Sequence, residues 1–257
     1  MNLRRIASQR DVLLLRIGRN RMLAVACDSS GGVGPKKGDS VTVPGQAVGE
    51  YAARTVLLEL ICTGARIMAL TVTLSVEYDP IGKQILAGIR KALAQIKSRP
   101  PLIFSTEKNF PVGTTGVGVS AIGLLSRGSL KIGRSRAGDL VLLFGQPSVG
   151  NKVLRAQRKN MIPTLKNVVS LLHSGLAHDV IPVGSTGVLH EARVIASDSG
   201  LRFVPSVDSK ELQVSAGPST ALLLSAARSD VDKLKELLDK PLVVIGSLER
   251  LRKQAGA

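Results

Sequence analysis

The chain has 257 residues, of which 44% are hydrophobic and 21% charged, the balance of a folded globular protein rather than a disordered one. Lys and Arg outnumber Asp and Glu by 35 to 19, giving a formal net charge of +16, so the surface attracts anions such as phosphorylated metabolites, nucleotides and nucleic acids. Aromatic residues make up only 2% and Trp is absent, which argues against a single-strand nucleic-acid binder that stacks bases on rings.

The basic residues are scattered, apart from short groups such as Arg155, Arg158 and Lys159. A solvated basic surface is therefore the favoured reading over a nucleic-acid footprint. Met1–Asp11 carries Arg4, Arg5 and Arg10 but no apolar core of a signal peptide, and Glu59 and Gly64 break the most apolar stretch. Neither export nor a membrane span is expected, which points to the cytoplasm. Cys27 and Cys62 lie in apolar segments, as buried reduced thiols do. His173, His178 and His190 lack the spacing of a zinc site, so structural roles are expected for them.

Asp11–Ile17 and Met22–Cys27 are apolar runs joined by Gly18-Arg19-Asn20-Arg21, which predicts two strands and a tight turn. Asp28–Ser40 then reads as a loop. Pro44 is placed to start a helix and Gly64 to end it, giving a helix over 44–63. Ile67–Val76, rich in Thr and Val, predicts a strand. Asp79 can cap, and Pro80 begin, a second helix in which Ile85, Ile89 and Leu93 recur at helical spacing.

Leu102–Ser105 and Thr115–Leu125 complete the strands of a first domain, 1–128. The basic, glycine-rich Ser126–Gly138 connects it to a second domain, 129–257. There the pattern predicts strands over Asp139–Phe144, Ala221–Ser225 and Leu242–Ile245. It predicts helices over Thr164–His173, Thr186–Ser199 and Asp230–Leu238, the last capped by Ser229. Strands and helices mix without a strict βαβ rhythm, which predicts an α+β fold.

The segment richest in chemistry is Cys27-Asp28-Ser29-Ser30-Gly31-Gly32-Val33-Gly34-Pro35-Lys36-Lys37-Gly38-Asp39. A strand delivers a carboxylate, the glycines let backbone approach a ligand, and two lysines can neutralise phosphate. It lacks the Gly-Lys-Ser/Thr ending of a Walker A loop. Glu59 is the only charged side chain between Thr55 and Gly64, and a buried unpaired carboxylate costs several kcal/mol. A metal ion, Arg54 or Arg66 could meet that need. Glu50 is expected to pair with Arg54 one helical turn on. Asp28, Glu77 and Glu107 all fall at predicted strand ends, and convergent carboxylates suit magnesium.

In order, these segments resemble the AIR synthase-like (PurM-like) superfamily of ATP-using enzymes over nearly the whole chain. Asp28 to Lys36 is similar to its Asp-Gly-Val-Gly-Thr-Lys loop, with inserted residues and Pro35 in place of Thr. Leu58-Glu59 to Gly64-Ala65 is similar to its helix ending in a carboxylate and Gly-Ala. Ser105-Thr106-Glu107 resembles its Gly-Gly-Glu-Thr region without the glycines. Ala137-Gly138-Asp139 and His178-Asp179-Val180, with Gly184 and Gly187, resemble its C-terminal segments. Within the superfamily the likeness is greatest to the α-ribazole kinases of cobalamin lower-ligand salvage. It rests on Met1-Asn2-Leu3-Arg4-Arg5-Ile6, Ala26-Cys27-Asp28-Ser29-Ser30-Gly31-Gly32 and Ser105-Thr106-Glu107-Lys108-Asn109-Phe110-Pro111.

The resemblance implies a homodimer whose N-terminal sheets pair into a shared barrel, with a smaller α/β C-terminal domain. It implies transfer of the ATP γ-phosphoryl group to the 5′-hydroxyl of a nucleoside, α-ribazole, with magnesium as cofactor. An AIR cyclo-ligase or a thiamine-monophosphate kinase is the alternative within the superfamily. A non-catalytic basic nucleic-acid binder is the alternative outside it. By the same resemblance Asp28, Glu59 and Glu107 would hold magnesium, and Lys36 or Lys37 would meet phosphate. Gly31, Gly32, Gly34, Thr106 and Asn109 would line the nucleotide, and Asp28 could instead orient the attacking hydroxyl.

Overall fold

The structure is a computed structural model that describes residues 4–6 and 10–251, with side chains from residue 10 onward. The likeness resting on Met1-Asn2-Leu3 therefore lies outside the described residues. The chain forms two compact units. The first comprises the described residues to Leu130 with Gly150–Leu154 and Thr164–Lys166; the second comprises Lys131–Val149, Arg155–Pro163 and the described residues from Asn167 on.

The first unit is built on strands β1 (Arg4–Ile6), β2 (Leu13–Arg16), β3 (Arg21–Gly31), β4 (Val33–Gly34), β5 (Val41–Thr42), β6 (Arg66–Leu74), β7 (Leu102–Thr106) and β8 (Gly116–Ser126). Six of them form one mixed sheet in the order β1-β2-β3-β8-β6-β7. Its pairs are antiparallel except β6 with β7. Period-two burial gives the sheet its two faces: Met22, Ala24 and Ala26 of β3 and Val117, Val119 and Ala121 of β8 are buried under the helices. The opposite face stays open and carries Leu13, Leu15, Leu23, Val25, Met68, Ile103, Ile122 and Leu124, all at least partly exposed.

Helix α1 (Gly45–Cys62) lies on the covered face, and α2 (Lys83–Gln95) packs on α1. Sheet on one side and helix on the other explain why α1 is apolar nearly all round, whereas α2 buries one stripe: Ile85, Leu86, Ile89, Ala92 and Leu93. The two helices approach to backbone contact at glycines. A Cβ on Gly49 would stand 1.9 Å from the Ile85 carbonyl oxygen, and one on Gly88 would stand 2.0 Å from that of Gln46.

The second unit holds a five-stranded sheet in the order β10-β12-β9-β13-β11, antiparallel throughout. Its strands are β9 (Leu140–Phe144), β10 (Asp179–Pro182), β11 (Leu201–Pro205), β12 (Leu222–Ala226) and β13 (Leu242–Arg250). Helices α3 (Lys152–Arg158), α4 (Leu165–Ser174), α5 (Val188–Asp198) and α6 (Val231–Leu237) complete the chain. Helix α5 packs on this sheet, and Val141, Val188, Ala192, Ile195, Leu223 and Leu248 are fully buried in the core between them.

Several expectations are corrected. Strand β3 continues through Asp28-Ser29-Ser30-Gly31, each opposite a residue of β8, so Asp28 stands within a strand and not in a loop or at a strand end. Backbone pairing is indifferent to side-chain polarity where the sheet meets solvent. Asp79 has extended backbone but makes no capping hydrogen bond, its carboxylate pairing instead with Lys83; a π-helical turn over Tyr78–Gly82, which includes Pro80, leads directly into α2 at Lys83. Cys27 is exposed, on the open face, while Cys62 is buried. Asp230 rather than Ser229 precedes α6, without a side-chain cap. Glu50 reaches Lys91 (2.8 Å) and Gln95 (3.2 Å) on α2, while its charge still bears on Arg54.

Candidate active site

The glycine-rich segment folds as a closed loop at one end of the first sheet. Beyond β3 the chain turns at Gly32, whose φ of +68° favours glycine. The Gly32 N–H donates to the Thr115 carbonyl (2.8 Å), and its own carbonyl accepts from Ser40 (2.8 Å). The short parallel pair β4–β5 follows, and the Val43 N–H donates to Gly34 (3.1 Å) to lead the chain into α1.

Asp39 organises this loop. Its Oδ1 accepts the Thr115 N–H (2.6 Å), and its Oδ2 accepts the Thr115 hydroxyl (2.7 Å) and the Lys36 N–H (2.8 Å). Burial raises the Asp39 pKa, but these bonds and the nearby Lys36 charge outweigh it and hold the carboxyl below its ordinary value. Gly34 is required by this arrangement: a Cβ there would lie 2.3 Å from Thr115 Oγ1 and 2.8 Å from Asp39 Oδ2. Its missing side chain makes room for the protein's own Thr115. At Gly31, by contrast, a Cβ would meet open space, so that exposed stretch of backbone is open to a ligand.

The two lysines differ. Lys36 Nζ donates to Glu77 Oε2 and to the Val112 carbonyl, both at 2.7 Å, and its side chain is only 14% exposed. This bond is also what holds the Glu77 carboxyl below its ordinary pKa. Lys37 is exposed, with no ion pair among the described residues. Of the pair left open by sequence, Lys37 is the one available to an incoming anion.

Asp28 projects toward α1, where its carboxylate meets the Thr55 hydroxyl and the Ser29 backbone. Desolvation dominates these bonds and raises its pKa, and the charge of Asp11 adds to the effect. No cation among the described residues pairs with it. A half-buried carboxylate whose negative charge is uncompensated fits a bound cation. On the other, open face of the sheet, opposite the Asp28 side chain, Cys27, Ser29, Thr71, Thr73 and Ser120 line a hollow of about 370 Å³.

Glu107 follows β7 and closes a turn: its Oε1 accepts the N–H groups of Asn109 (2.7 Å), Lys108 (2.9 Å) and Phe110 (3.4 Å). The Asn109 bond leads in holding its pKa down. Thr106 is the last residue of β7, half-buried opposite Leu74, and Asn109 is exposed. Glu59 is buried on α1 and engaged in an interaction there.

The three carboxylates expected to share one magnesium are not brought together within a chain. Among the described residues no three His, Cys, Asp or Glu side chains gather as metal ligands. Register explains this: Asp28 lies level with Val119, Val72 and Phe104. Glu107 is therefore three strand spacings across, about 14 Å, and about 10 Å further along. Sequence reasoning gave no role to Asp39, Thr115 or Thr55. Asp39 closed the quoted segment, and its place after Lys36-Lys37-Gly38 was the available signal.

In the second unit two separated segments meet. His178 Nδ1 hydrogen-bonds Asp139 Oδ2 (2.8 Å), which also accepts the Arg136 N–H (2.7 Å). Asp179 accepts the Gly133 N–H at 2.8 Å. His178 thus has the structural partnership expected of it. Gly187, with φ +97°, starts α5.

No protein-family model and no curated protein matches the sequence. Solved structures do match in fold. A thiamine-monophosphate kinase from Stenotrophomonas maltophilia aligns with TM-score 0.61 and 20% identity over 96% of this chain and 89% of its own. The hydrogenase maturation protein HypE aligns with TM-score 0.63 and 20% identity over 89% of this chain and 80% of its own. PurL from T. maritima, solved with ATP, aligns with TM-score 0.58 and 17% identity over 93% of this chain but 42% of its own. These likenesses establish the AIR synthase-like α+β fold that the sequence predicts.

Proposed function

We propose that this AIR synthase-like chain is an ATP- and magnesium-dependent kinase of a small molecule. One observation carries the reading: Asp28, half-buried and without a compensating cation among the described residues, precedes on β3 a hydrogen-bonded glycine loop that presents open backbone at Gly31 and the exposed Lys37. Magnesium is commonly held by one or two carboxylates and completed by water and substrate phosphates, so Asp28 suffices as the protein anchor. Magnesium bound there would neutralise phosphate charge during transfer. Lys37 would attract the phosphates, and the Lys36–Glu77 bond would keep the loop in shape. Phosphoryl transfer depends mainly on such positioning and charge neutralisation.

For the acceptor, the sequence likeness at Ala26–Gly32 and Ser105–Pro111 favours the 5′-hydroxyl of α-ribazole. The solved neighbours favour a second reading, thiamine monophosphate: they include thiamine-monophosphate kinases, one of them complexed with AMPPCP and TMP. Incubation with ATP, magnesium and each acceptor in turn decides between them. Magnesium-dependent ADP release with α-ribazole supports the first reading, and release with thiamine monophosphate alone supports the second. No release with either, together with no ATP binding, contradicts the kinase.

The open sheet face, with Leu13, Met68 and Ile103 exposed, supports the homodimer. A face of this kind on one side of a sheet calls for a partner. The assembly would measure twice the chain mass by light scattering, and Met68→Asp would shift it toward a monomer.

A further inference from the structure

Carboxylates in the first unit, apart from Glu50 and Glu59 of α1, are segregated to one end of its strands. The carboxylates of Asp11, Asp28, Asp39, Glu77, Asp79 and Glu107 belong to the end of the sheet that carries the glycine loop. At the opposite end, Arg16 closes β2, Arg19 lies in the β2–β3 turn, Arg21 opens β3 and Arg127 follows β8. Arg66 opens β6, and Lys97 and Arg99 lead into β7, which runs parallel to β6. Arg4 of β1 stands opposite Arg16 in register. Arg90, Lys97 and Arg99 also line a cleft of about 710 Å³ floored by Leu93, Pro100 and Leu102.

Arg16, Arg19, Arg21, Arg66, Arg90, Lys97, Arg99 and Arg127 are all exposed, and none makes an ion pair among the described residues. The segments that bring them there, 13–27, 60–76, 80–106 and 108–130, contain no Asp or Glu. On α1, Glu50 is tied to Lys91 and Gln95, and Glu59 is buried. The rim is thus a row of cations on successive strands, and among the described residues no ion pair neutralises them.

We propose that this rim binds the phosphate backbone of double-stranded nucleic acid, without reading its sequence. The five strands β2, β3, β8, β6 and β7 that bring these cations to the rim lie about 4.8 Å apart and make a row about 19 Å long. One strand of a duplex offers a phosphate about every 3.4 Å, so the row faces roughly six. Seven of the eight cations are arginines, whose planar fork matches phosphate oxygens and which bind them bidentately. None of the rim segments 13–23, 61–68, 90–102 and 122–130 contains an aromatic residue, so the surface has no platform for stacking unpaired bases, and the duplex is favoured over a single strand.

The test measures fluorescence anisotropy of a labelled duplex of about 20 base pairs against the full chain over a salt series. The expected result is binding that weakens steeply with salt. In the triple variant Arg16→Gln, Arg21→Gln, Arg66→Gln the logarithmic slope should shrink by about 2.7, or 0.9 for each lost contact, with affinity down at least tenfold at low salt. Arg155→Gln, Arg158→Gln, Lys159→Gln removes the same charge elsewhere and should leave binding within twofold. Unchanged circular dichroism and melting establish that both variants fold; should the triple variant unfold, the single changes, each expected to lower the slope by about 0.9, replace it. The proposal is overturned by no duplex binding at low salt, by equal losses in both variants, or by tighter binding of a single strand. Poly-glutamate binding as tight as the duplex would likewise overturn it, in favour of an acidic protein partner.

Discussion

Asp28 carries opposed demands that a measurement can separate. Its raised pKa means that the folded state favours the protonated form, so ionisation costs stability. That cost sets in as pH rises from the ordinary carboxyl value through the raised folded one and persists at neutral pH. Asp28→Asn should therefore melt no lower than the parent at pH 7 without ligand, while its magnesium-dependent turnover falls more than about 100-fold. A variant that loses turnover only because it unfolds at lower temperature would assign Asp28 to the scaffold. Asp39 runs the other way. Its depressed pKa contributes stability that is present above the ordinary carboxyl value and lost as pH falls through the folded one. Relative to Asp39→Asn, the parent's advantage in urea should shrink toward pH 3.

Gly34 belongs to the same scale, because the clash expected at its Cβ involves a neighbour that Asp39 holds at two points. Gly34→Ala should destabilise the protein by about 2–3 kcal/mol, read from the denaturant midpoint. Gly31→Ala, where a Cβ meets nothing, should stay within about 0.5 kcal/mol yet weaken nucleotide binding. The glycines that look alike in sequence thus divide into one that admits the chain's own threonine and one that leaves backbone open.

At the scale of elements, the helix pair depends on backbone approach. Gly49 and Gly88 let α1 and α2 touch where no Cβ fits, and Gly88→Ala should cost about 3 kcal/mol or prevent folding, since neither carbonyl can retreat without breaking its helix. Circular dichroism and urea melting check this. Helix α1 was legible because Pro44 and Gly64 punctuate a continuous apolar run. Helix α3 was not, since its seven residues span two turns and bury only Val153 and Ala156, too short a stripe to show a period. Strand β3 was read short because Asp28-Ser29-Ser30-Gly31 has loop composition, while its ladder to β8 is made by backbone alone. The loop's location followed from its glycines, but its anchor did not: Asp39 meets Thr115 from 76 residues away.

For the whole molecule, composition announced a net charge of +16 but not where it lies. The rim cations are spread through the sequence and become neighbours only when antiparallel strands return them to one end of the sheet, and so the conspicuous cluster at Arg155, Arg158 and Lys159 drew attention instead. The same polarity serves the proposed chemistry, since the carboxylates at the other end are where a metal cation would bind. Substrate identity stayed out of reach because an acceptor pocket rests on shape and a few hydrogen bonds that no short motif marks.

Calorimetric titration of ATP into the protein, with and without magnesium and in parallel with Asp28→Asn, tests the central claim most directly. The account predicts binding by the parent that requires magnesium and is lost in Asp28→Asn despite an intact fold. Equal binding by the two proteins, or binding by the parent indifferent to magnesium, would contradict it.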